Sequence, residues 1–363
     1  MKRVKNLQML IADKGRDCFL SAILLLLSVV LASCEHRKLV DPSDRHYVRI
    51  YLDEHLRNVH YGFYDETKEK PKYKTPRVVR VTLSDPKTGR VVGQRYLHDS
   101  GSDERGNYLS GYVSAPPGEY NLLAYNFDTE STHINNGESH TDMEVYTNVI
   151  DESLSSRLES VRGGHPTRFG DIRYEPDHVF VASVKDIHLD SKPGGDTIRT
   201  PEGTHPLAES VTKTYYMQVN VKGVEYVRSA VALITGMSGS VRMHDRSLVP
   251  EMESSIYFNL QNGQNRARTD DKVAVAYASF NTFGKLPDVE GYIEITFEFN
   301  KTDGSVQTET IRVTEMFETP QVRDQQWIII DKTIEIIPPE GVSTGGMTPG
   351  VGKWEEIQGN ITI

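Results

Sequence analysis

The sequence predicts an all-β protein with a minor helix, arranged as two tandem β-sandwich domains. Short segments that alternate between apolar and polar residues recur along the chain, with proline, glycine, asparagine or aspartate between them. This is the pattern of strands joined by tight turns. The composition, with 28 glycines, 17 prolines and 18 tyrosines, fits a β-rich chain with many turns. A length of 363 residues indicates two domains of ordinary size.

Residues 1–33 are predicted to form a lipoprotein signal peptide. Basic residues precede an apolar run at residues 19–32, which is shorter than a membrane span but suits the apolar part of an export signal. The run ends in Leu31-Ala32-Ser33-Cys34, which resembles a bacterial lipobox. Cys34 is therefore expected to become the N-terminus and to carry diacylglycerol and an amide-linked chain such as palmitate. An ordinary signal peptide with an incidental cysteine is the alternative, and Met9 is an alternative start.

Charge and cysteine content exclude two kinds of chemistry. The formal net charge is −10, and the leader holds more basic than acidic residues, so the mature chain is more acidic still. An acidic chain lacks the basic face that neutralises phosphates, so no nucleic-acid partner is expected. The two cysteines are Cys18, inside the leader, and Cys34. The folded part is therefore predicted to lack both disulfides and thiolate chemistry.

The first domain is predicted at residues 47–205, after a polar, lipidated tether at residues 34–46. Its expected strands are residues 47–52, 77–83, 91–97, 108–114, 120–127 and 178–184. In the first of these strands Val48, Ile50 and Leu52 share one face, so we expect the three side chains to be buried.

Turns and one helix connect these strands. The turns at residues 85–89 and 115–119 contain proline and glycine, and each is expected to join the strands beside it into a hairpin. Residues 148–161 are the best candidate for a helix, with Asp151 or Ser153 as the N-cap.

The second domain is predicted at residues 206–338, after a polar stretch that marks the boundary. Its expected strands are residues 214–221, 254–260, 273–283, 291–300, 306–313 and 327–337. Residues 224–233 fit either a short helix or a strand. Thr302-Asp303-Gly304 is a strong hairpin signal. The last strand begins with an apolar run, which is expected when both faces of a strand are covered.

Residues 339–363 are predicted to be a glycine-rich linker followed by a terminal strand. Trp354 opens the final segment, and Ile357, Ile361 and Ile363 stand at odd positions on one face. Such a strand either folds back onto its own second domain or is donated to a neighbouring subunit by β-augmentation. These four side chains are therefore candidate donor-strand residues, and both destinations stay open.

No catalytic, cofactor or metal site is predicted. Residues 236–240 resemble the Gly-x-Ser-x-Gly elbow of hydrolases, but Ser240 stands where the last glycine is needed, so we expect a turn. Several metal-ligand residue types fall in one loop. They are His133, Glu138, His140, Asp142 and Glu144. Nothing in their spacing fixes a geometry, so a solvated polar loop is the expectation.

Three stretches of this chain carry a resemblance to a known family. They are residues 115–126 (APPGEYNLLAYN), 174–182 (YEPDHVFVA) and 214–239. Together with the lipobox they resemble Bacteroidetes fimbrillin-type outer-membrane lipoproteins, which are similar to type V pilus subunits. The resemblance implies two transthyretin-like β-sandwich domains. It also implies a non-catalytic role as a fimbrial anchor or minor subunit in adhesion or pilus assembly, with other fimbrial subunits as partners.

A candidate modification site and an alternative function remain to be considered. Asp196-Thr197-Ile198 is similar to the O-glycosylation site of Bacteroidetes, which makes Thr197 a candidate for modification, although a chance match explains three residues equally well. A surface lipoprotein of a nutrient-uptake system that binds glycans or peptides is the alternative function. Its ligand contacts would be loop tyrosines together with aspartate and asparagine side chains.

Overall fold

The computed structural model describes most of the chain after the predicted leader and tether. The described residues are 44–53, 75–127, 129–154, 158, 170–190, 192, 196–264, 273–287, 291–339 and 354–355. They lie within one compact unit that begins at residue 43. Strands dominate, and helices are few and short, so the all-β prediction with a minor helix is confirmed. No helix in this described part is long and apolar enough to cross a membrane.

The strands are numbered in chain order. They are β1 (Arg45–Leu52), β2 (Val79–Ser84), β3 (Val91–Leu97), β4 (Asp99–Asp103), β5 (Gly106–Ser114), β6 (Gly118–Asn126), β7 (Thr132–Asn135), β8 (Glu144–Thr147), β9 (Asp171–Tyr174), β10 (Phe180–Leu189), β11 (Leu207–Ser210), β12 (Lys213–Lys222), β13 (Val227–Ser238), β14 (Ser240–Arg242), β15 (Glu253–Asn259), β16 (Gln261–Gln264), β17 (Val273–Thr282), β18 (Glu294–Lys301), β19 (Val306–Arg312) and β20 (Trp327–Glu335). The helix α1 covers Pro320–Gln325, and 3₁₀ turns cover Val224–Tyr226, Pro250–Met252 and Thr314–Glu318.

These strands form four sheets. The first half of the chain builds an eight-stranded sheet in the order β3-β2-β6-β10-β11-β1-β5-β4. The second half builds a four-stranded sheet, β16-β17-β12-β20, and most of a five-stranded sheet, β19-β18-β13-β15-β9, whose last strand, β9, comes from the first half. A small sheet, β14-β8-β7, combines strands from both halves.

The first core lies inside the eight-stranded sheet. Val48 and Ile50 of β1 are completely buried and Leu52 is 6% exposed, which confirms the predicted inward face. Leu97 of β3 and Leu109 of β5 belong to the same core although their strands lie near opposite ends of the sheet order. The sheet therefore closes over its own apolar face, as a sandwich does.

The second core lies between two sheets. Phe258 of β15 and Phe280 of β17 stack with ring centroids 4.0 Å apart and an interplanar angle of 4°. These strands belong to the five-stranded and four-stranded sheets, so the rings join the two layers. The same core continues through Phe297 of β18 and Ile328 of β20. This is the β-sandwich that the sequence predicts.

One of the two predicted hairpins of the first half is confirmed and the other is wrong. β2 and β3 pair antiparallel around the turn at residues 85–89. β5 instead pairs with β1 and β4, and β6 pairs with β2 and β10. The turn at residues 115–119 therefore crosses between distant strands. Ala115 fixes this corner, because its N–H donates to Asp44 O at 3.1 Å and its carbonyl lies 3.0 Å from His46 Nε2.

The second half follows the sequence closely. β18 and β19 pair antiparallel, and Gly304 in the turn adopts φ +82°, so the predicted hairpin is confirmed. Residues 224–233 contain both alternatives, a 3₁₀ turn and then the start of β13. β20 lies at the end of its sheet order, and alternate side chains of its apolar start are only half-buried. The expectation that both faces are covered is therefore wrong.

Two local predictions have different outcomes. Asp151 caps a helical turn at residues 152–154, since its Oδ1 accepts from the Leu154 N–H at 3.0 Å. Of the two predicted N-cap residues, Asp151 and Ser153, the structure thus selects Asp151. The later part of the predicted helix lies mostly outside the described residues. Residues 236–240 are not a simple turn: they cover the end of β13 and the first residue of β14. A bulge follows Ile234 in β13, and Gly236 adopts φ +73°.

Strands from the two halves of the chain pair with each other. β9 pairs in parallel with β15, and β8 pairs with β14. β11, which begins at residue 207, pairs with β1 and β10 of the first sheet, just beyond the expected boundary. The division into domains at residues 47–205 and 206–338 stays a prediction.

Candidate functional site

The first candidate region is the start of the C-terminal segment. β13 pairs with β18 with a register shift between Val227 and Ser229, which places Arg228 at an interruption of the ladder. The carbonyl of Arg228 accepts a hydrogen bond from the backbone N–H of Glu355 at 3.0 Å. The Arg228 guanidinium and the Glu355 carboxylate lie 3.2 Å apart. The backbone of the C-terminal segment is thus joined to the bulge.

Trp354 supplies the apolar part of this attachment. Its indole packs against the second core and meets Phe299 edge-on, with ring centroids 6.2 Å apart. The indole Nε1 is buried and has no hydrogen-bond partner among the described residues. We call Trp354 and Glu355, together with Phe299 and Arg228, the C-terminal clip. It joins the start of the predicted terminal strand to its own sandwich.

Of the predicted site residues, the described part of the chain includes Trp354 and Thr197. Cys34, Ile357, Ile361 and Ile363 are outside the described residues, so lipidation and the donor strand stay predictions. Trp354 is in contact with its own chain, which agrees with fold-back at that residue.

Thr197 lies beside the first strand. The N–H of Tyr47 donates to Asp196 O at 2.7 Å, and the N–H of Ile198 donates to Tyr47 O at 2.7 Å. Thr197 itself is half-buried, and its N–H donates to the Asp196 carboxylate at 2.8 Å. The tripeptide runs alongside β1. O-glycosylation at this position stays a prediction.

The crossing from β9 to β10 forms a polar junction that the sequence reasoning missed. Asn126 is 4% exposed; its Oδ1 accepts from the Phe180 N–H at 2.7 Å and its Nδ2 donates to His178 O at 3.2 Å. Asp177 Oδ2 accepts from the N–H groups of Glu130 and Ser131 at 2.9 and 2.7 Å. Residues 174–182, which carry part of the family resemblance, run from β9 in the five-stranded sheet to β10 in the eight-stranded sheet, and these hydrogen bonds fix the chain along this crossing.

Glu175 stands at the centre of this junction. Its Oε2 accepts from the backbone N–H of Asn281 at 3.0 Å, so a first-half side chain binds β17 of the second half. Desolvation of the carboxyl group raises the pKa of Glu175 to about 7. Desolvation likewise lowers the pKa of His178 to about 4. The junction therefore favours neutral forms of both side chains.

A ladder of arginines and tyrosines covers the outer face of β1 and β5. The Arg49 guanidinium lies 4.1 Å from the centroid of the Tyr108 ring and 3.0 Å from the Asp103 carboxylate. The Tyr51 hydroxyl donates to the same carboxylate at 2.6 Å, and this bond is the leading cause that lowers the pKa of Asp103. Alternation of Tyr and Arg in β1 was the sequence signal for this face. The arginines cover the tyrosine rings.

The loop with several metal-ligand residue types is less solvated than predicted. His140 is 2% exposed, its ring centroid lies 6.1 Å from that of His244, and desolvation lowers its pKa. Asp142 instead accepts from the Ser139 hydroxyl at 2.8 Å. Within the described part of the chain, no three His, Cys, Asp or Glu side chains gather as a metal site would require. The loop is therefore buried at His140 and exposed at Asp142.

The fold and the polar junction define the class of protein. It is a β-sandwich protein in which strands from the first half of the chain pair with strands from the second half. A family profile described as "Domain of unknown function (DUF5119)" matches residues 80–259. A curated relative, "Putative fimbrium anchoring subunit Fim4B" of Bacteroides ovatus, is 26% identical over 278 residues. That alignment covers 68% of this chain and 76% of the relative.

Two solved structures of bacterial proteins are similar to this chain in fold. The crystal structure of a "putative adhesin" from Bacteroides ovatus matches with a TM-score of 0.53 and 24% identity, covering 85% of this chain and 99% of that one. The "fimbrial anchor protein Mfa2" from Porphyromonas gingivalis gives a TM-score of 0.42 and 12% identity, covering 80% and 90%. The curated relative with a fimbrial name confirms the predicted resemblance to fimbrillin-type Bacteroidetes proteins, and the adhesin structure shows the fold alone.

Proposed function

We propose that this protein is a non-catalytic subunit of the cell envelope that takes part in fimbrial adhesion or pilus assembly, as an anchor or as a minor subunit. One observation carries the proposal: the relative named as a fimbrium anchoring subunit aligns over 278 residues and over 76% of its own length. The sandwich fold supports it, because subunits can join at exposed sheet edges by strand addition.

The proposal includes a lipid anchor in the outer membrane. Residues 1–33 act as the signal peptide, Cys34 carries the acyl chains, and residues 34–46 form the tether. Several acyl chains on one cysteine give stable attachment, whereas one chain binds only marginally. The support comes from the lipobox-like Leu31-Ala32-Ser33-Cys34. An anchoring subunit needs such an attachment because the fibre is otherwise lost from the cell.

Contact with other fimbrial subunits is proposed through the C-terminal segment. Its candidate residues are Trp354, Ile357, Ile361 and Ile363, which would add a strand to a neighbouring subunit. The C-terminal clip supports a defined starting point for that strand, since Glu355 is hydrogen-bonded to Arg228. Residues 47–205 and 206–338 would act as two domains held together by the polar junction.

A fractionation experiment in a fimbriated Bacteroidetes strain tests this function. Wild type and Cys34→Ser are compared with a deletion of the gene, and fimbriae are counted on cells and in the medium. We expect Cys34→Ser and the deletion to release fimbriae or shorten them, and Cys34→Ser to leave the membrane fraction. Normal cell-bound fimbriae in the deletion strain would contradict a fimbrial role. A membrane-bound Cys34→Ser protein would contradict the lipid anchor alone.

Two exposed aromatic rings favour the second candidate, a lipoprotein that binds glycans or peptides. Tyr96 and Phe127 are 49% and 39% exposed, and their ring centroids lie 5.2 Å apart. The Arg80 guanidinium lies 6.0 Å from the Tyr96 ring. Binding of a glycan or peptide panel by the wild type that is lost in Tyr96→Ala, with normal fimbriae in the deletion strain, would select this candidate.

A further inference from the structure

Arg80 differs from the other arginines that the protein shields from solvent. Four arginines of the described residues are buried or half-buried. Three of them, Arg49, Arg173 and Arg242, lie within 3.9 Å of a carboxylate oxygen. Arg80 instead donates to the side-chain oxygen of Gln94, and no carboxylate in the described part of the chain pairs with it. A shielded cation without a counter-charge is costly, so Arg80 is suited to receive an anion from outside.

The strand register places Arg80 between two tyrosines. On β2 it stands opposite Tyr96 of β3 and Tyr125 of β6, and its guanidinium lies 6.0 Å from the centroid of each ring. Burial raises the pKa of Tyr125, and the positive charge of Arg80 opposes that shift. The loop between β7 and β8 also approaches, since a Cβ atom on Gly137 would lie 4.0 Å from Arg80 Nη1. The guanidinium thus lies where three strands and one loop meet.

Two exposed rings and an amide stand beside this guanidinium. The rings of Tyr96 and Phe127 have centroids 5.2 Å apart and an interplanar angle of 50°, so they form an inclined apolar surface. Gln94 is exposed and precedes Tyr96 by two residues on β3. Its oxygen accepts from Arg80, which leaves its amide nitrogen as a donor for a ligand. Apolar rings with a few placed polar groups are the usual composition of a small-ligand site.

These groups match the chemistry of an acidic sugar. A guanidinium binds a carboxylate through two parallel N–H···O bonds. The hydroxyl groups of a sugar accept from an amide such as that of Gln94, and the apolar face of its ring can cover an aromatic side chain. The chain carries a formal net charge of −10, which repels a long acidic polymer. A single carboxylate on an otherwise neutral glycan therefore fits the site better than a polyanion.

We propose that Arg80, Gln94, Tyr96 and Phe127 form a binding site for a sugar that carries a carboxylate, such as a uronic acid at the end of a glycan. The two rings cover the apolar face of the sugar, and Arg80 selects the carboxylate. The proposal rests on the second candidate function above, to which it adds the class of ligand and the residue that selects it. It does not depend on the fimbrial role.

A matched pair of sugars tests the site in titrations of the full-length protein followed by saturation-transfer NMR. Methyl glucuronide carries a carboxylate where methyl glucoside carries a hydroxymethyl group, and the two are otherwise the same. The wild type should bind the glucuronide about tenfold more tightly, because only this sugar forms charge-assisted bonds with Arg80. Arg80→Gln should remove that preference and change the affinity for the glucoside less than about twofold. Tyr96→Ala should weaken binding of both sugars.

Arg45 and Tyr112 provide the matched control. The Arg45 guanidinium lies 4.5 Å from the centroid of the Tyr112 ring, which belongs to a residue that is 46% exposed. Arg45→Gln and Tyr112→Ala should leave the affinities for both sugars unchanged. Thermal melting shows whether each variant is folded.

Four results would overturn the proposal. They are failure of both sugars to bind, equal affinity of the wild type for the two sugars, a preference for the glucuronide that survives Arg80→Gln, and binding of acetate or an acidic peptide as tightly as the glucuronide. Equal affinity for the two sugars would leave the second candidate function standing, since it requires a glycan but not a carboxylate. The fimbrial role is tested separately by the deletion strain.

Discussion

The backbone carbonyl of Arg228 and the backbone N–H of Glu355 are 3.0 Å apart and form a hydrogen bond, while their side chains form an ion pair. Both side chains are about two-thirds exposed, at 67% and 68%. An ion pair so exposed contributes at most about 1 kcal/mol. The attachment of the C-terminal segment must therefore rest mainly on the backbone bond and on burial of the Trp354 ring.

This division of energy predicts different effects for two neighbouring substitutions. Trp354→Ala removes the ring that packs on Phe299 and should lower the free energy of unfolding by about 2 kcal/mol. Glu355→Gln keeps the backbone bond and removes the exposed charge, so it should cost less than about 1 kcal/mol. Urea denaturation monitored by far-UV circular dichroism measures both. Equal stability of Trp354→Ala and the wild type would mean that the clip does not form in solution.

Local sequence signals predicted strands and turns but not which strands pair. Thr302-Asp303-Gly304 located the hairpin of β18 and β19 correctly because a short turn with glycine brings its own flanking strands together. The turn at residues 115–119 has equally strong chemistry, yet β5 pairs with β1. That pairing is set by packing of β1 into a core assembled from distant segments. A turn motif carries no information about it.

The polar junction was missed for a related reason. Asn126 bonds to residues 52 and 54 positions later in the chain, His178 and Phe180. An asparagine at the end of a predicted strand looks like a turn residue, and its burial depends on partners that the local pattern does not reveal. The ladder of Tyr and Arg was partly visible, because the predicted burial of Val48, Ile50 and Leu52 leaves the alternating Tyr and Arg residues of β1 on the other face. Their partners on β5 were not predicted.

The first strand offers a comparison between its two faces. Ile50 is completely buried, so Ile50→Asp places an unpaired carboxylate in the first core and should unfold that part of the protein. Arg49→Asp removes the contacts with Tyr108 and Asp103 on the outer face and sets two carboxylates close together. We expect it to cost about 1–2 kcal/mol and to leave the protein folded. Thermal melting of both variants measures this, and equal melting would contradict the assigned faces.

Gly101 predicts a steric effect on the same outer face. A Cβ atom on Gly101 would lie 2.4 Å from the ring of Tyr108, so Gly101→Ala must displace the ring. Since Arg49 stacks on that ring, the displacement should also loosen the arginine. We expect a loss of about 1–3 kcal/mol in the free energy of unfolding. Ser102→Ala in the same strand is the control and should be near neutral; a neutral Gly101→Ala would show that Tyr108 does not cover the glycine.

Glu175 predicts a pH dependence at the junction. Its folded pKa of about 7 exceeds the ordinary value of 4.5, so the folded state binds its proton more tightly than the unfolded state does. The stability from this group is complete below pH 4.5 and is lost as the pH rises to about 7, by about 3 kcal/mol in total. His178 acts in the opposite direction, because its folded pKa of about 4 is depressed and its contribution is lost as the pH falls.

Because the two groups oppose one another, the wild type alone does not isolate Glu175, and the variant Glu175→Gln is needed. The glutamine carbonyl still accepts from the Asn281 N–H but cannot ionise, so the variant loses the pH dependence of this one group while keeping that of His178. We expect the stability of Glu175→Gln relative to wild type to rise by about 3 kcal/mol between pH 4.5 and pH 8. Urea denaturation at several pH values measures the difference, with Glu104→Gln, an exposed residue, as the control. A difference that stays constant across this range would mean that the Glu175 carboxyl group titrates normally in the folded protein and that the junction does not desolvate it.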